Sequence, residues 1–423
     1  MKPLNILWLA AHPHPRANEA GAPWVVSLIR QLAARPAEVA LTVLGVATGL
    51  PVPVEHYEEQ GVRYIYLNTP ERREDIRTLF RRRVALLRAY VQAHGPAYDL
   101  IHVHGCESQL HVATAGLAMP VLLSMQGIVW ENLKLLPEIS PIRRFLWLLA
   151  SYYELRYLPQ VRDTSCRTTW DAAMSRRFNP ACRVHHNWEM IRPAFFELDC
   201  AATPGPEPGR PHLLFVGGSQ TMKGYRQVLE AFDLIRQQVP AKLTIVGQTE
   251  PEVVQQHIKR KKLTAIGPDD LELRGMQNTA ALQALMQESF CLLHPSYLDN
   301  SPNTVCEAQV AGLPVVVTLV GGVGSLVTHE RTGLGARLDP RDIADQVLRL
   351  CRDEPLRQRL SRQAMRVARA RHDPATITQR TLDIYRTMLA RERLPEGAEI
   401  VVAAAELQTA EVALSVAAVP QLP

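Results

Sequence analysis

Residues 293–318 read LHPSYLDNSPNTVCEAQVAGLPVVVT. The run that leads in, 290–293, is apolar and has the character of a buried strand end. The turn 300–303 is polar, with Ser301 suited to an N-cap and Pro302 to a first helical position. Residues 304–311 then form a short helix stopped by Gly312. Residues 313–318 are apolar and largely β-branched, a second buried strand. Strand, acidic turn, helix and strand make one step of a parallel α/β sheet. Ligands of such sheets bind outside the carboxyl ends of the strands. Asp299 belongs at that end, and the helix start after it offers free N–H groups suited to a phosphate. Glu307 follows eight residues later, about two helical turns. It therefore falls on the same side, in reach of a second part of one elongated ligand. Taken alone, the two acids are equally well a helix cap and a solvated helical glutamate.

The segment resembles the E-x7-E signature of the family-four retaining glycosyltransferases, with Asp in place of the first Glu. The flanking Pro-Ser, Glu-Ala, Gly-x-Pro-Val-Val and Gly-Gly extend the likeness. The resemblance implies an α/β chain of GT-B fold, two Rossmann-like parallel-sheet domains facing a central cleft. It implies that Asp299 contacts the donor sugar and Glu307 the ribose hydroxyls. Backbone and side chains between them (Ser301, Asn303, Thr304) then hold sugar and phosphate.

At 423 residues the chain is too long for one ordinary domain. Its 47% hydrophobic and 21% charged residues are those of a globular protein. No run of eighteen apolar residues is present, which predicts no transmembrane helix. Near the N-terminus the apolar stretch 6–11 is shorter than a signal-peptide core, and reads as a first strand. Seven cysteines without a CxxC predict reduced thiols, a cytoplasmic setting and no zinc site. Residues 1–198 hold 22 Lys+Arg against 17 Asp+Glu, so the net +5 lies wholly in that half. This suits an anionic inner membrane surface or an anionic acceptor, and is too mild for nucleic acid.

Before the linker, strands are expected at 5–11, 40–44, 62–67, 100–105 and 120–127, with helices at 23–34 and 75–94. The loop after the first strand contains Gly21, the nearest match to the family's acceptor-side glycine. His104 closes a His-x-His-Gly strand end, and Gln126 stands where many relatives carry a sugar-contacting His. The resemblance therefore makes both catalytic-side candidates. A Gln can donate to a hydroxyl but is neither acid nor base near neutral pH. Helix 140–157, with a Ser N-cap, carries Arg143, Arg144, Trp147, Tyr152, Tyr153 and Arg156, either a membrane-facing surface or an ordinary half-buried helix. Residues 163–192 resemble a subgroup of the family with an Arg-Thr-x-Trp-Asp segment, which makes Arg167, Trp170, Asp171, His186 and Asn187 cleft candidates, the last two on the acceptor side.

The Pro/Gly-rich stretch 199–211 is the clearest boundary, dividing domain 1–198 from domain 212–373. The second domain opens with a strand at 212–218 and the loop Ser219-Gln-Thr-Met-Lys223-Gly224. It resembles the family's G-R-x4-K-G diphosphate clamp, with Lys223 as the lysine and Gly218 in the arginine's place. Backbone N–H groups of Gly217, Gly218 and Ser219 are expected to meet the phosphate charge that a lone Lys223 leaves. The loop at Gly275 and Met276 would cup the nucleotide base. Helix 374–391 is expected to cross back to the first domain, and the tail 395–423 to be loose. No G-x-G-x-x-G or Walker A is present.

The resemblance thus predicts a retaining, metal-independent glycosyltransferase, with a nucleotide-diphosphate sugar as co-substrate and no cofactor. A glycan or lipid-linked acceptor of surface polysaccharide synthesis would receive the sugar. Lys223 and the helix start near Ser301–Thr304 would stabilise the leaving diphosphate electrostatically, with Asp299 a catalytic-side contact to the donor sugar. Two alternatives are a nucleotide-sugar epimerase and a non-catalytic GT-B binding subunit. The absent clamp arginine and Gln126 speak for the second.

Overall fold

The computed structural model describes residues 2–15, 22–135, 140–198 and 209–392. They form two compact units, one from residues 2–190 and 373–392, the other from 191–372. Gly21, most of the stretch 199–211 and the tail 395–423 lie outside the described residues.

The first unit is built on an eight-stranded sheet. Its strands are β1 (Leu4–Leu9), β2 (Val39–Ala47), β3 (Val54–Glu59), β4 (Val62–Asn68), β5 (Leu100–His104), β6 (Val121–Ser124), β7 (Asp163–Cys166) and β8 (Arg183–His186). The order is β3-β4-β2-β1-β5-β6-β7-β8, parallel throughout except for the β3–β4 pair. The central strands read as continuous apolar runs because both faces are covered: Ile6, Trp8, Leu7 and Leu9 of β1 are all buried. β3 is a strand that alternation does not announce, since its VEHYEE is half-exposed at the sheet edge.

Helix Pro374–Glu392 packs on this sheet through Tyr385, Leu382 and Met388. Trp8 Nε1 donates to the Tyr385 hydroxyl at 2.9 Å, and that hydroxyl lies 2.7 Å from His102 Nδ1. His102 Nε2 lies 2.8 Å from Ser124 Oγ, so both ring nitrogens are hydrogen-bonded. Burial, with Arg167 nearby, drives the His102 pKa down to about 3, so the ring is neutral.

The expected helix 75–94 is two helices, Arg72–Arg77 and Arg81–His94. Leu79 and Phe80 between them adopt left-handed backbone, without a Gly or Pro to signal it. Tertiary bonds favour the break: Arg83 Nε reaches Asp75 at 2.9 Å, and the Tyr153 hydroxyl donates to Leu79 O at 2.7 Å. Tyr153 is consequently buried and Trp147 half-buried, which takes both off the exposed side of helix Pro141–Tyr157.

The second unit has six parallel strands, β9 (His212–Val216), β10 (Lys242–Val246), β11 (Leu271–Arg274), β12 (Cys291–His294), β13 (Val315–Thr318) and β14 (Leu334–Ala336). Their order is β11-β10-β9-β12-β13-β14, which within the unit is 3-2-1-4-5-6, the doubly wound Rossmann order. Helix Tyr225–Arg236 covers one face with Val228, Leu229, Phe232 and Ile235, all fully buried. Each such side chain contributes roughly 1.5–3 kcal/mol by leaving water. With the first unit, this makes the two Rossmann-like folds of the GT-B class. No helix of the described residues is long and apolar enough to cross a membrane.

Candidate functional site

Strand order reverses between β9 and β12, so the crevice of the second unit opens at their carboxyl ends. The loops that leave these strands hold Lys223 and Asp299. They are locked together: Tyr297 N donates to Met222 O at 2.9 Å, and a Cβ on Gly224 would stand 1.9 Å from Pro295 O. Gly224, at φ +79°, lets the chain pass so close.

Lys223 Nζ donates to Asp299 Oδ2 at 2.6 Å. The same oxygen lies 3.0 Å from His294 Nε2, which in turn lies 3.0 Å from Ser296 Oγ. Burial alone would raise the Asp299 pKa, but Lys223 and the His294 hydrogen bond outweigh it and hold the carboxyl well below the usual range. His294 is fully buried and its pKa is lowered by that burial, so it serves as a neutral donor. His294, which touches the candidate Asp299, was passed over by motif reading; it closes an apolar strand and carries no spacing signal.

The backbone around the clamp departs from expectation. The N–H groups of Gly217 and Gly218 both donate to Val246 O at 2.9 Å, and Ser219 N donates to Gln248 O at 3.1 Å. They fix the loop against the end of β10 and do not stand free for a phosphate. Gly218 has φ +56°, and a Cβ there would meet Gln248 O at 2.1 Å. No arginine fits where the family pattern has one.

Glu307 sits on helix Asn303–Val310, buried to 2% exposure. Arg192 grips it in a fork: Nε to Oε1 at 2.7 Å, Nη2 to Oε2 at 2.8 Å. Arg192 also donates to Thr279 Oγ1 at 3.0 Å and stacks over the Phe195 ring. Burial raises the Glu307 pKa, against the pull of Arg192. Bidentate pairing uses one lone pair on each oxygen and leaves others for a diol. Arg192 is 115 positions from its partner, and no spacing rule could have found it.

The helix begins one residue earlier than its sequence suggests, at Asn303, with Pro302 in the cap position. Ser301 is therefore not the cap, and its Oγ is buried without a protein partner, as is Asn303 Oδ1. Thr304 is half-buried in the first turn. The first N–H groups of a helix have no carbonyl one turn earlier to bond. Polar oxygens without partners beside such a helix start suit a hydroxylated, anionic ligand. Gly275 faces open space, and Met276 is 71% exposed beyond β11.

In the first unit, a cavity brings His104, Gln126 and Asn187 together with Arg167, Glu189 and Trp24. His104 Nε2 and Asn187 Oδ1 are buried there without protein partners. Burial keeps His104 neutral, and pushes Glu189 up to about 7 beside Arg167. Asp171 closes a capping box with Thr168 at the start of helix Thr169–Phe178, a structural task. Trp170 is half-buried on that helix. His186 stands edge-on to Trp188 and does not line the cavity. Among the described residues no group of three or more His, Cys, Asp or Glu is placed to hold a metal ion.

Residues 202–367 match the family model described as glycosyl transferases group 1. The match falls wholly within the second unit and covers less than half of the chain. A D-inositol 3-phosphate glycosyltransferase of Pseudarthrobacter chlorophenolicus is 34% identical over 134 residues, and that match spans 31% of either chain. The fold likeness runs further than the sequence likeness. Sucrose-phosphate synthase from Thermosynechococcus elongatus superposes with a TM-score of 0.73 at 20% identity, covering 92% of this chain and 100% of that one. Anabaena HepE in complex with UDP-glucose gives 0.63 at 15% identity, covering 91% and 100%. The likeness to the family thus rests on the second unit, and the GT-B architecture on both.

Proposed function

We propose that this protein is a retaining glycosyltransferase that takes a sugar from a nucleotide-diphosphate donor. The observation that carries the reading is the meeting of Lys223 with Asp299 at the switch point of the second sheet, beside a helix start with unpartnered polar oxygens. In this reading the diphosphate lies against Lys223 and the first turn of helix Asn303–Val310. Asp299 and Ser301 receive sugar hydroxyls. Glu307, held by Arg192, accepts the ribose diol, and Met276 lies against the base. As the sugar–phosphate bond breaks, negative charge grows on the leaving oxygen, and Lys223 and the helix start stabilise it. The acceptor hydroxyl loses its proton to the departing diphosphate, since no carboxylate is posed as a nucleophile in this scheme.

His104, Gln126 and Asn187 are the acceptor-side residues of the proposal, and a glycan or lipid-linked acceptor is its substrate class. A cytoplasmic enzyme meeting a lipid-linked acceptor at the inner membrane surface fits the same scheme. UDP-glucose, bound by HepE, is the first donor to try. Thermal shift against UDP-, GDP- and ADP-sugars without added metal tests the reading. Saturation at a hundredfold excess over Kd adds about 2.7 kcal/mol to the folded state. Stabilisation by one nucleotide series that disappears in Glu307→Ala supports it. No shift with any of them favours the non-catalytic alternative.

A further inference from the structure

Five of the ten large apolar side chains exposed among the described residues lie on one helix, Pro141–Tyr157. Ile142, Phe145, Leu148, Tyr152 and Leu155 are 44–73% exposed. Their steps of three and four residues place them within about 140° of the helix circumference. A soluble surface seldom gathers apolar groups in this way without a use for them. The polar residues on the exposed side are equally one-sided. Arg143, Arg144 and Arg156 are exposed, and the one acid of the helix, Glu154, is fully buried. Glu154 is turned inward, accepting the N–H groups of Val129 and Trp130 at 2.8 and 2.9 Å. Two further exposed arginines, Arg81 and Arg82, begin the helix Arg81–His94, tied to this one by the Tyr153 bond to Leu79.

We propose that helix Pro141–Tyr157 is a docking surface for an anionic lipid bilayer, with its apolar stripe seated among the acyl chains. Arginine guanidinium groups then meet lipid phosphates while their stems cover apolar surface. An uncharged protein groove would leave those arginines without complement, whereas an anionic bilayer offers phosphates all along the stripe. Interfacial helices combine an apolar face with flanking basic residues in this manner. This inference does not rest on the donor site, because none of its residues belongs to the second unit.

The test is co-sedimentation of the full chain with vesicles of phosphatidylcholine alone and of phosphatidylcholine with phosphatidylglycerol. The wild type is expected on the anionic vesicles, with binding weakened by salt. Phe145→Glu with Leu148→Glu should lower the partition coefficient roughly tenfold or more. Ile142→Ser with Phe145→Ser, a milder pair, should lower it less, and serves if the first pair does not fold. Far-UV circular dichroism and the nucleotide-sugar thermal shift should be those of the wild type in both. Absence of wild-type binding to anionic vesicles overturns the proposal, as does undiminished binding of a folded pair. So does a dimer in sedimentation equilibrium that the glutamates dissolve, which would give the stripe to a second copy.

Discussion

Lys223 Nζ and Asp299 Oδ2 stand 2.6 Å apart, so the cation at the end of the β9 loop is already engaged by an acid from the β12 loop. In the proposed reading, an incoming diphosphate shares the lysine with that acid. Lys223→Met removes the lysine of the proposed clamp and leaves Asp299 with His294 and Ser296. We expect donor Kd to rise on the order of a hundredfold, about 2.7 kcal/mol, as for loss of a charge-assisted contact. Calorimetric titration of the nucleotide sugar measures it; a change under threefold would take Lys223 out of the donor site.

Arg192 is expected to act through Glu307. Arg192→Ala leaves a buried carboxylate without its fork, at a cost of about 3–5 kcal/mol. Arg192→Lys keeps the charge but not the bidentate geometry. The lysine variant should fold and bind the nucleotide sugar more weakly, and Glu307→Ala should abolish binding. Equal affinity in wild type and Arg192→Lys, at matched stability, would show that the fork has no bearing on the donor.

Restoring the family's arginine by Gly218→Arg should fail. The backbone there is left-handed and Gln248 O occupies the place of a Cβ. Strain of about 1–3 kcal/mol or more, plus loop displacement, is expected. The readout is a lower Tm together with donor affinity no better than wild type. A stable variant with tighter binding would contradict the geometry.

Tyr385→Phe deletes a hydroxyl that accepts from Trp8 Nε1 and bonds His102. Both partners are buried, so each loses its bond without gaining water. A loss of about 1–3 kcal/mol in denaturant unfolding is expected, with no change in donor affinity, since Tyr385 lies outside the second unit.

Glu154 makes stability depend on pH in a definite direction. Burial pushes its pKa up to about 7, against the pull of the Val129 and Trp130 N–H groups. An unfolded glutamate titrates near 4.3. Between these values the folded chain holds a proton that the unfolded chain has released, so this group makes stability fall as pH rises from about 4.3 to 7. Glu154→Gln should flatten that slope while lowering stability by about 1–3 kcal/mol, because one N–H then faces an amide donor. Urea unfolding at several pH values separates the two effects. An unchanged slope would mean that Glu154 does not titrate there.

What the amino-acid order determined by itself was local. Apolar runs spaced by Gly, Pro and polar turns specify parallel strands and helices, because burial on two faces demands continuous apolar sequence. That sufficed for the Rossmann-like architecture and put Lys223, Asp299 and Glu307 forward as candidates from nearby motif residues. Where exposure weakens the pattern, as in β3, or tertiary bonds override it, as at Leu79 and Phe80, local reading went astray. Only the tertiary structure decided what those side chains touch. Arg192 finds Glu307 across 115 positions, His294 joins Asp299, and Gln248 O closes position 218 to any side chain. These are contacts between loops carried to one place by strand order. Their energies depend on distances of a few ångströms, which periodicity along the chain does not encode.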